Sequence, residues 1–152
     1  MIEDIYLMSI RPKYARAIFA GRKKYELRKL SGAPSIEEGS IVIVYASGQI
    51  KGIIGEFRVG RVIKAAPEKV WEIVRQPGTG IGEDAWFYIR GARQAMALEV
   101  RDPTPYQRPV TLEEIRRVIP GWMPPFSYKP LREGDPVYEL VIRRIRSTLR
   151  GS

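Results

Sequence analysis

The hydrophobic positions at the start of the chain change their period twice. Residues 5–10 are apolar and favour a β-strand, and Pro12 then supplies the backbone angle that suits the first turn of a helix. In residues 13–20 the apolar side chains recur at helical spacing, and Gly21 follows where a helix commonly ends in a left-handed residue. The pattern predicts a strand followed by a short helix that is tightly stopped.

Beyond this helix the period becomes two. Tyr25 and Leu27 fall on one face of the predicted strand, whereas Lys24, Glu26 and Arg28 fall on the other. Such alternation is typical of a half-buried strand, so one face is expected to pack on the core and the other to carry the functional side chains.

The rest of the chain alternates between strands and short helices. Three further strands are predicted at 41–45, 50–63 and 94–101, and the glycines within the second of them indicate bulges or barrel corners. Helices are predicted at 67–75, at 83–91, from an N-cap at Thr111 to about Ile119, and from a well-capped start at Asp135 to the C-terminus. Two segments are predicted to be irregular: 102–105, which should end the third strand, and 120–130. These elements predict an α+β fold with a small closed β-barrel.

Length and charge set the bounds on function. The chain has 152 residues, which fits one domain spanning 1–152, and its formal charge is +9. A charge of this size is typical of proteins that meet polyanions, so RNA, DNA and an anionic membrane surface are all candidate partners. Because no apolar run approaches the roughly 20 residues that span a bilayer, and the N-terminus is acidic, the prediction is a cytoplasmic protein without membrane segments.

Histidine and cysteine are both missing from the chain. Their absence excludes disulfides, thiol nucleophiles, Ser-His-Asp machinery and nearly every zinc or haem site, and no metal or cofactor is expected. Any catalysis would have to use Lys, Glu, Asp, Tyr, Ser or Thr. Asparagine is absent too, and together with abundant Arg, Ile, Val and Pro this indicates, weakly, a thermophilic source.

Positive charge is concentrated in residues 11–29. The eight cations there are Arg11, Lys13, Arg16, Arg22, Lys23, Lys24, Arg28 and Lys29. Glu26 is the only acid among them, and in such a field it should stay ionised, as a permanent hydrogen-bond acceptor. This profile favours a binding site, although a solvated basic surface with a Glu–Arg pair explains the same composition.

Gly21, Lys23, Glu26 and Arg28 form the pattern G-x-K-x-x-E-x-R directly after a helix that begins S-I-R-P. The pattern resembles the ASCH domain family of the PUA-like superfamily, and it looks closest to the small, single-domain archaeal members. The resemblance continues through a V-Y-A-S strand, a hairpin containing G-E-F, and the Pro-Pro-aromatic segment at 124–128. It implies a PUA-like small mixed β-barrel with peripheral helices and a ligand cleft beside the first helix.

The resemblance also implies a set of site residues. Lys23, Glu26 and Arg28 match the motif, while four other residues occupy strand ends that should face the same cleft: Ser9, Arg11, Tyr45 and Ser47. In this cleft Lys23 and Arg11 could hold phosphate, and Glu26 could accept from a base. Tyr45 or an aromatic of the 120–130 segment, such as Tyr128, could stack on that base, although most of these rings should pack on the barrel.

The leading hypothesis is therefore the binding of RNA or a modified nucleotide, with DNA as a further candidate and the oligomeric state left open. A rival hypothesis is a hydrolase, because similar small ASCH proteins hydrolyse N4-acetylcytidine with a Lys, a Thr and a Glu, and some family members cleave RNA. Lys23 and Glu26 would then be catalytic, but Glu26 stands where those hydrolases have their threonine. A third hypothesis is a protein–protein adaptor in transcription or translation.

Overall fold

The computed structural model describes residues 4–30, 32 and 34–143. Its strands are β1 (Ile5–Ile10), β2 (Tyr25–Leu30), β3 (Ile41–Ala46), β4 (Gly52–Ala65), β5 (Gln94–Thr111) and β6 (Tyr128–Leu131). Its helices are α1 (Pro12–Phe19), α2 (Pro67–Val74), α3 (Glu83–Ile89), α4 (Leu112–Val118) and α5 (Pro136–Tyr138), and a π-helical segment, Glu139–Arg143, follows the last of these.

All six strands form one mixed sheet in the order β2-β5-β4-β3-β1-β6. β1 and β3 run parallel, and the other neighbouring pairs are antiparallel. The predicted α+β fold is confirmed. Within the described part of the chain, however, the sheet is a half-barrel rather than a closed barrel, because β2 and β6 are its two edges.

The central strands are buried on both faces. On β1, Leu7 packs in a cluster with α4 and the segment after it, whereas Met8 packs in a second cluster with α1. α1 covers its face through Ala15 and Ile18, which are fully buried. A strand covered on both sides needs apolar residues throughout, and this explains the continuous run of β3.

The prediction that residues 102–105 end a strand is wrong, because β5 continues through them to Thr111. β2 pairs with β5 only as far as Glu99, so beyond that residue one side of β5 has no neighbouring strand among the described residues. An edge can hold Pro103 and Pro105, since a proline there withholds no ladder hydrogen bond. The chain bends at this point through Asp102, whose φ is 50°, and through shifts in the register with β4.

The segment 120–130 is irregular only in its first part. From Tyr128 it forms β6, which pairs antiparallel with β1, and the edge position of β6 tolerates Pro130.

The N-cap at Thr111 is confirmed as a capping box with Glu114. By contrast, Asp135 makes no side-chain cap at α5, and the predicted continuation of that helix beyond 143 lies outside the described residues.

Candidate functional site

The turn after α1 places Lys23 two residues before β2. Gly21 adopts a φ of 76°, which a residue with a Cβ rarely adopts. The backbone N–H groups of Arg22 and Lys23 both donate to the carbonyl of Ala17, at 2.9 and 3.1 Å. This local bonding reverses the chain and leads it into β2 at the edge of the sheet.

The loop 78–82, whose sequence is GTGIG, holds the turn from the other side. The backbone N–H of Lys24 donates to the carbonyl of Thr79 at 2.8 Å. Gly80 has a φ of 74°, and a Cβ built on it would lie 2.0 Å from the carbonyl oxygen of Arg22. The loop therefore touches the motif directly, and its glycine is required by a close approach of two backbones.

We expect Gly80→Ala to lower the free energy of unfolding by about 2 to 3 kcal/mol, because left-handed strain and overlap with the Arg22 carbonyl act together. Gly78→Ala is the matched control: its φ is also positive, at 88°, but a Cβ there meets nothing within 4 Å. For this control, backbone strain alone should cost about 1 kcal/mol. Urea unfolding of the two variants checks the difference, and equal losses would show that the loop does not clamp the turn.

Lys23, Glu26 and Arg28 form a buried ionic network. Their exposed fractions are 8, 7 and 9%. The Lys23 Nζ lies 3.2 Å from Glu26 Oε2, and the Arg28 Nε lies 3.5 Å from Glu26 Oε1. Lys23 also donates to the backbone carbonyl of Tyr25 at 2.6 Å. Because each Glu26 oxygen lies beside a buried cation, the carboxylate makes its ion pairs inside the protein and not with solvent or a ligand.

Arg28 also joins the two edges of the half-barrel. Its Nη2 donates to the carbonyl of Ser9 on β1 at 2.8 Å, and its Nη1 donates to the Ser127 hydroxyl, just before β6, at 3.1 Å. Ser9 is bonded to the same segment, because its N–H donates to the Ser127 carbonyl at 2.9 Å and its hydroxyl to the Pro125 carbonyl at 2.6 Å. One guanidinium on β2 thus helps to hold the chain that enters β6.

The structure brings only some of the other predicted site residues to this place. Arg11 is exposed at the N-cap of α1, and Ser47 lies beside it, with its N–H donating to the Ile10 carbonyl at 3.0 Å. Tyr45 points to the opposite face of the sheet, where it is buried edge-on against Trp122. β3 is apolar on both faces, so alternation alone could not assign the side of this ring.

Tyr128 also packs rather than opening into a cleft. Its ring lies edge-on to Tyr6, and its hydroxyl donates to the backbone carbonyl of Pro34. Burial raises the pKa of the Tyr128 hydroxyl, so this hydroxyl stays protonated and keeps its role as a donor.

Two contacts at the site have no signal in the sequence. Ser127 receives a hydrogen bond from Arg28 across 99 residues of chain, and Tyr14 of α1 donates to Asp84 of α3 across 70. The Tyr14–Asp84 hydrogen bond lowers the pKa of the Asp84 carboxyl and raises that of the Tyr14 hydroxyl. The ammonium of Lys23 lies 5.7 Å from the centroid of the Tyr14 ring, so the network is continuous with the α1–α3 contact.

The surface over this network is strongly basic. Of the eight cations between residues 11 and 29, Lys23 and Arg28 are buried, and six are exposed: Arg11, Lys13, Arg16, Arg22, Lys24 and Lys29. The one acid of that stretch, Glu26, is buried against Lys23 and Arg28. The exposed cations therefore have no acidic neighbour within their own stretch, although Asp84 approaches Tyr14 from α3.

The residues that the structure describes contain no group of three or more acidic, His or Cys residues placed to hold a metal ion. No helix in this part of the chain has the length and apolar character needed to cross a membrane.

Comparison with known proteins identifies the family. The model of the ASCH domain matches residues 8–103, which include the second half of β1, all of α1, the buried network and the first half of β5. The chain belongs to the ASCH domain family. The predicted resemblance is thereby confirmed.

Relatives of this ASCH domain include a protein of Zymomonas mobilis named ASCH domain-containing ribonuclease, which is 24% identical over 129 residues, or 85% of each chain. The crystal structure of ASCH from Zymomonas mobilis matches with a TM-score of 0.76 at 24% identity and covers 91% of this chain and 94% of that one. The N-terminal domain of Staphylothermus marinus McrB matches with a TM-score of 0.56 at 16% identity and covers 97% of this chain and 98% of that one. These likenesses show a shared fold.

Proposed function

We propose that this ASCH domain binds single-stranded RNA, or a modified nucleotide within it, on the basic surface formed by α1 and the turn into β2. The observation that carries the proposal is the set of six exposed cations between residues 11 and 29, while the acid of that stretch is buried. Lysine and arginine in this density attract phosphates and release their counterions on binding.

For Lys23, Glu26 and Arg28 we propose a supporting role. They are buried, and they bond to one another and to backbone carbonyls. They fix the turn that presents Arg22 and Lys24, and they hold the segment before β6. Arg11, exposed at the N-cap of α1, and the half-buried Ser47 beside it are then the residues of the predicted site best placed to meet phosphate. Arg11 would do so through its planar guanidinium.

Single-stranded RNA is preferred over a duplex as the ligand because the deep, narrow major groove of A-form RNA keeps side chains from its base edges. Exposed cations on a short helix and a tight turn can follow a flexible backbone, and unpaired bases can reach the adjoining surface. DNA strands share the phosphates, so discrimination against DNA would have to come from the 2′-hydroxyl.

Hydrolysis of RNA is the second candidate, and the observation that favours it is the relative named as a ribonuclease. In this chain both oxygens of Glu26 already form ion pairs within the fold, one with Lys23 and one with Arg28. Lys23 likewise already donates to Glu26 and to the Tyr25 carbonyl. The geometry therefore supports binding better than catalysis by these two residues.

The experiment that tests the proposal is a titration of the protein into fluorescent oligonucleotides at low salt, followed by anisotropy. Single-stranded RNA, its duplex and single-stranded DNA of the same sequence are compared, and the RNA is run on a denaturing gel afterwards. We expect the single strand of RNA to bind most tightly and to stay intact. No binding to any of them would overturn the proposal. Shortened RNA, if a mock purification without the protein leaves the RNA intact, would replace it with the hydrolase.

A further inference from the structure

The segment between α4 and β6 exposes apolar side chains that the fold does not use. Phe126 is fully exposed, Met123 is 66% exposed, and Val118 at the end of α4 is 60% exposed. Single exposed apolar residues are ordinary, but a phenylalanine with its whole ring in solvent, close in sequence to two more, indicates a contact surface.

The backbone that carries Phe126 is held on both sides. The carbonyl of Pro125 accepts from the Ser9 hydroxyl at 2.6 Å, and the carbonyl of Ser127 accepts from the Ser9 N–H at 2.9 Å. Arg28 then donates to the Ser127 hydroxyl at 3.1 Å. Two prolines precede Phe126 and further restrict the backbone dihedral angles of the segment. A ring presented on a fixed backbone loses little entropy when it stacks on a ligand.

The other rings near this segment are not free to stack. Trp122 is buried edge-on against Tyr45, and Tyr128 packs on Tyr6. In the described part of the segment from 120 to 130, Phe126 is thus the one aromatic side chain with an open face.

Cations border the segment that carries the exposed ring. Arg116 donates to the Trp122 carbonyl at 2.9 Å and approaches the Met123 Sδ at 3.2 Å, and the Lys129 ammonium lies 5.7 Å from the Trp122 ring. Arg11 follows two residues after Ser9, whose hydroxyl and N–H bond to the residues on both sides of Phe126. Positive charge beside an aromatic face is the combination that binds single strands, with phosphates on the cations and a base on the ring.

We propose that Phe126 is the stacking platform for an unpaired base of the bound strand, next to the phosphates held by Arg11 and its neighbours. The inference rests on the proposed function and adds a subsite to it. It also gives the buried network a role in binding, because Arg28 fixes the backbone on which Phe126 is presented.

The test compares Phe126→Ala, Phe126→Trp and the control Phe87→Ala, which removes a 59% exposed ring from α3. The probe is a single-stranded oligoribonucleotide that contains 2-aminopurine, whose fluorescence is quenched when a ring stacks on it. We expect Phe126→Ala to bind about tenfold more weakly and to lose the quenching, while Phe126→Trp retains both and Phe87→Ala resembles the wild type. The dependence of affinity on salt should be unchanged in Phe126→Ala, because no charge is removed.

The possible failures are distinguishable. If the wild type binds the probe and Phe126→Ala binds it equally well, the stacking platform is wrong and the proposed function stands. If the wild type does not bind at all, both fail. A change of oligomeric state in Phe126→Ala, with its affinity for RNA retained, would overturn the inference and assign the ring to contacts between copies of the chain.

Discussion

A Glu26→Gln variant is expected to lose about 3 to 5 kcal/mol of its free energy of unfolding, the largest loss that we expect from any single substitution at the site. Glu26 is 7% exposed and is the counter-charge of both Lys23 and Arg28. Glutamine keeps the shape but removes the charge, so two buried cations are left facing an uncharged group. Removal of one partner from a buried ionic group is costly because the remaining charges stay desolvated.

The matched control is Glu37→Gln, which removes the same charge from an ion pair with Lys64 of 2.9 Å. The Glu37 side chain is 64% exposed, so we expect a loss of about 1 kcal/mol or less. Urea unfolding at neutral pH measures both variants. Similar losses in the two would contradict the view that the motif is a buried network, and would indicate that water reaches Glu26 in the folded protein.

The affinity of the domain for single-stranded RNA is expected to fall steeply with salt. If about four of the exposed cations contact phosphates, log affinity should fall against log salt with a slope of about −2.8, or roughly 50-fold between about 50 and 200 mM. Anisotropy titrations at several salt concentrations measure this slope. A slope near zero would mean that phosphates contribute little and that the basic surface is only solvated.

Local patterns predicted the elements of the fold well. The change of period at Gly21 predicted the end of α1, and Tyr25 and Leu27 do lie on the packed face of β2 while Glu26 and Arg28 lie on the other. The capping box formed by Thr111 and Glu114 was also predicted correctly. Each of these features depends on residues within one or two turns of one another, so the sequence contains the whole cause.

Features that depend on residues distant in the chain could not be predicted from the local sequence. From the local sequence, the prolines at 103 and 105 indicate the end of a strand. They are tolerated within β5 because β2 pairs with it only as far as Glu99, which leaves one side of β5 as an edge. The alternation on β2 predicted which face Arg28 occupies, but an open cleft was expected there. The partner that covers Arg28 is Ser127, which arrives 99 residues later in the chain. Burial of a charge therefore could not be predicted from the strand that carries it.

The central claim is that the exposed cations of α1 and the following turn hold the phosphates of a single strand. The most direct measurement compares the salt dependence of RNA binding in two double variants with equal loss of charge. Arg11→Ala/Lys13→Ala removes two exposed cations at the start of α1, and Lys69→Ala/Arg75→Ala removes two exposed cations at α2. The account predicts that the first variant loses about 1.4 of the slope, whereas the second keeps the wild-type slope. Equal slopes in the two variants would contradict the claim, because net charge alone would then govern the binding.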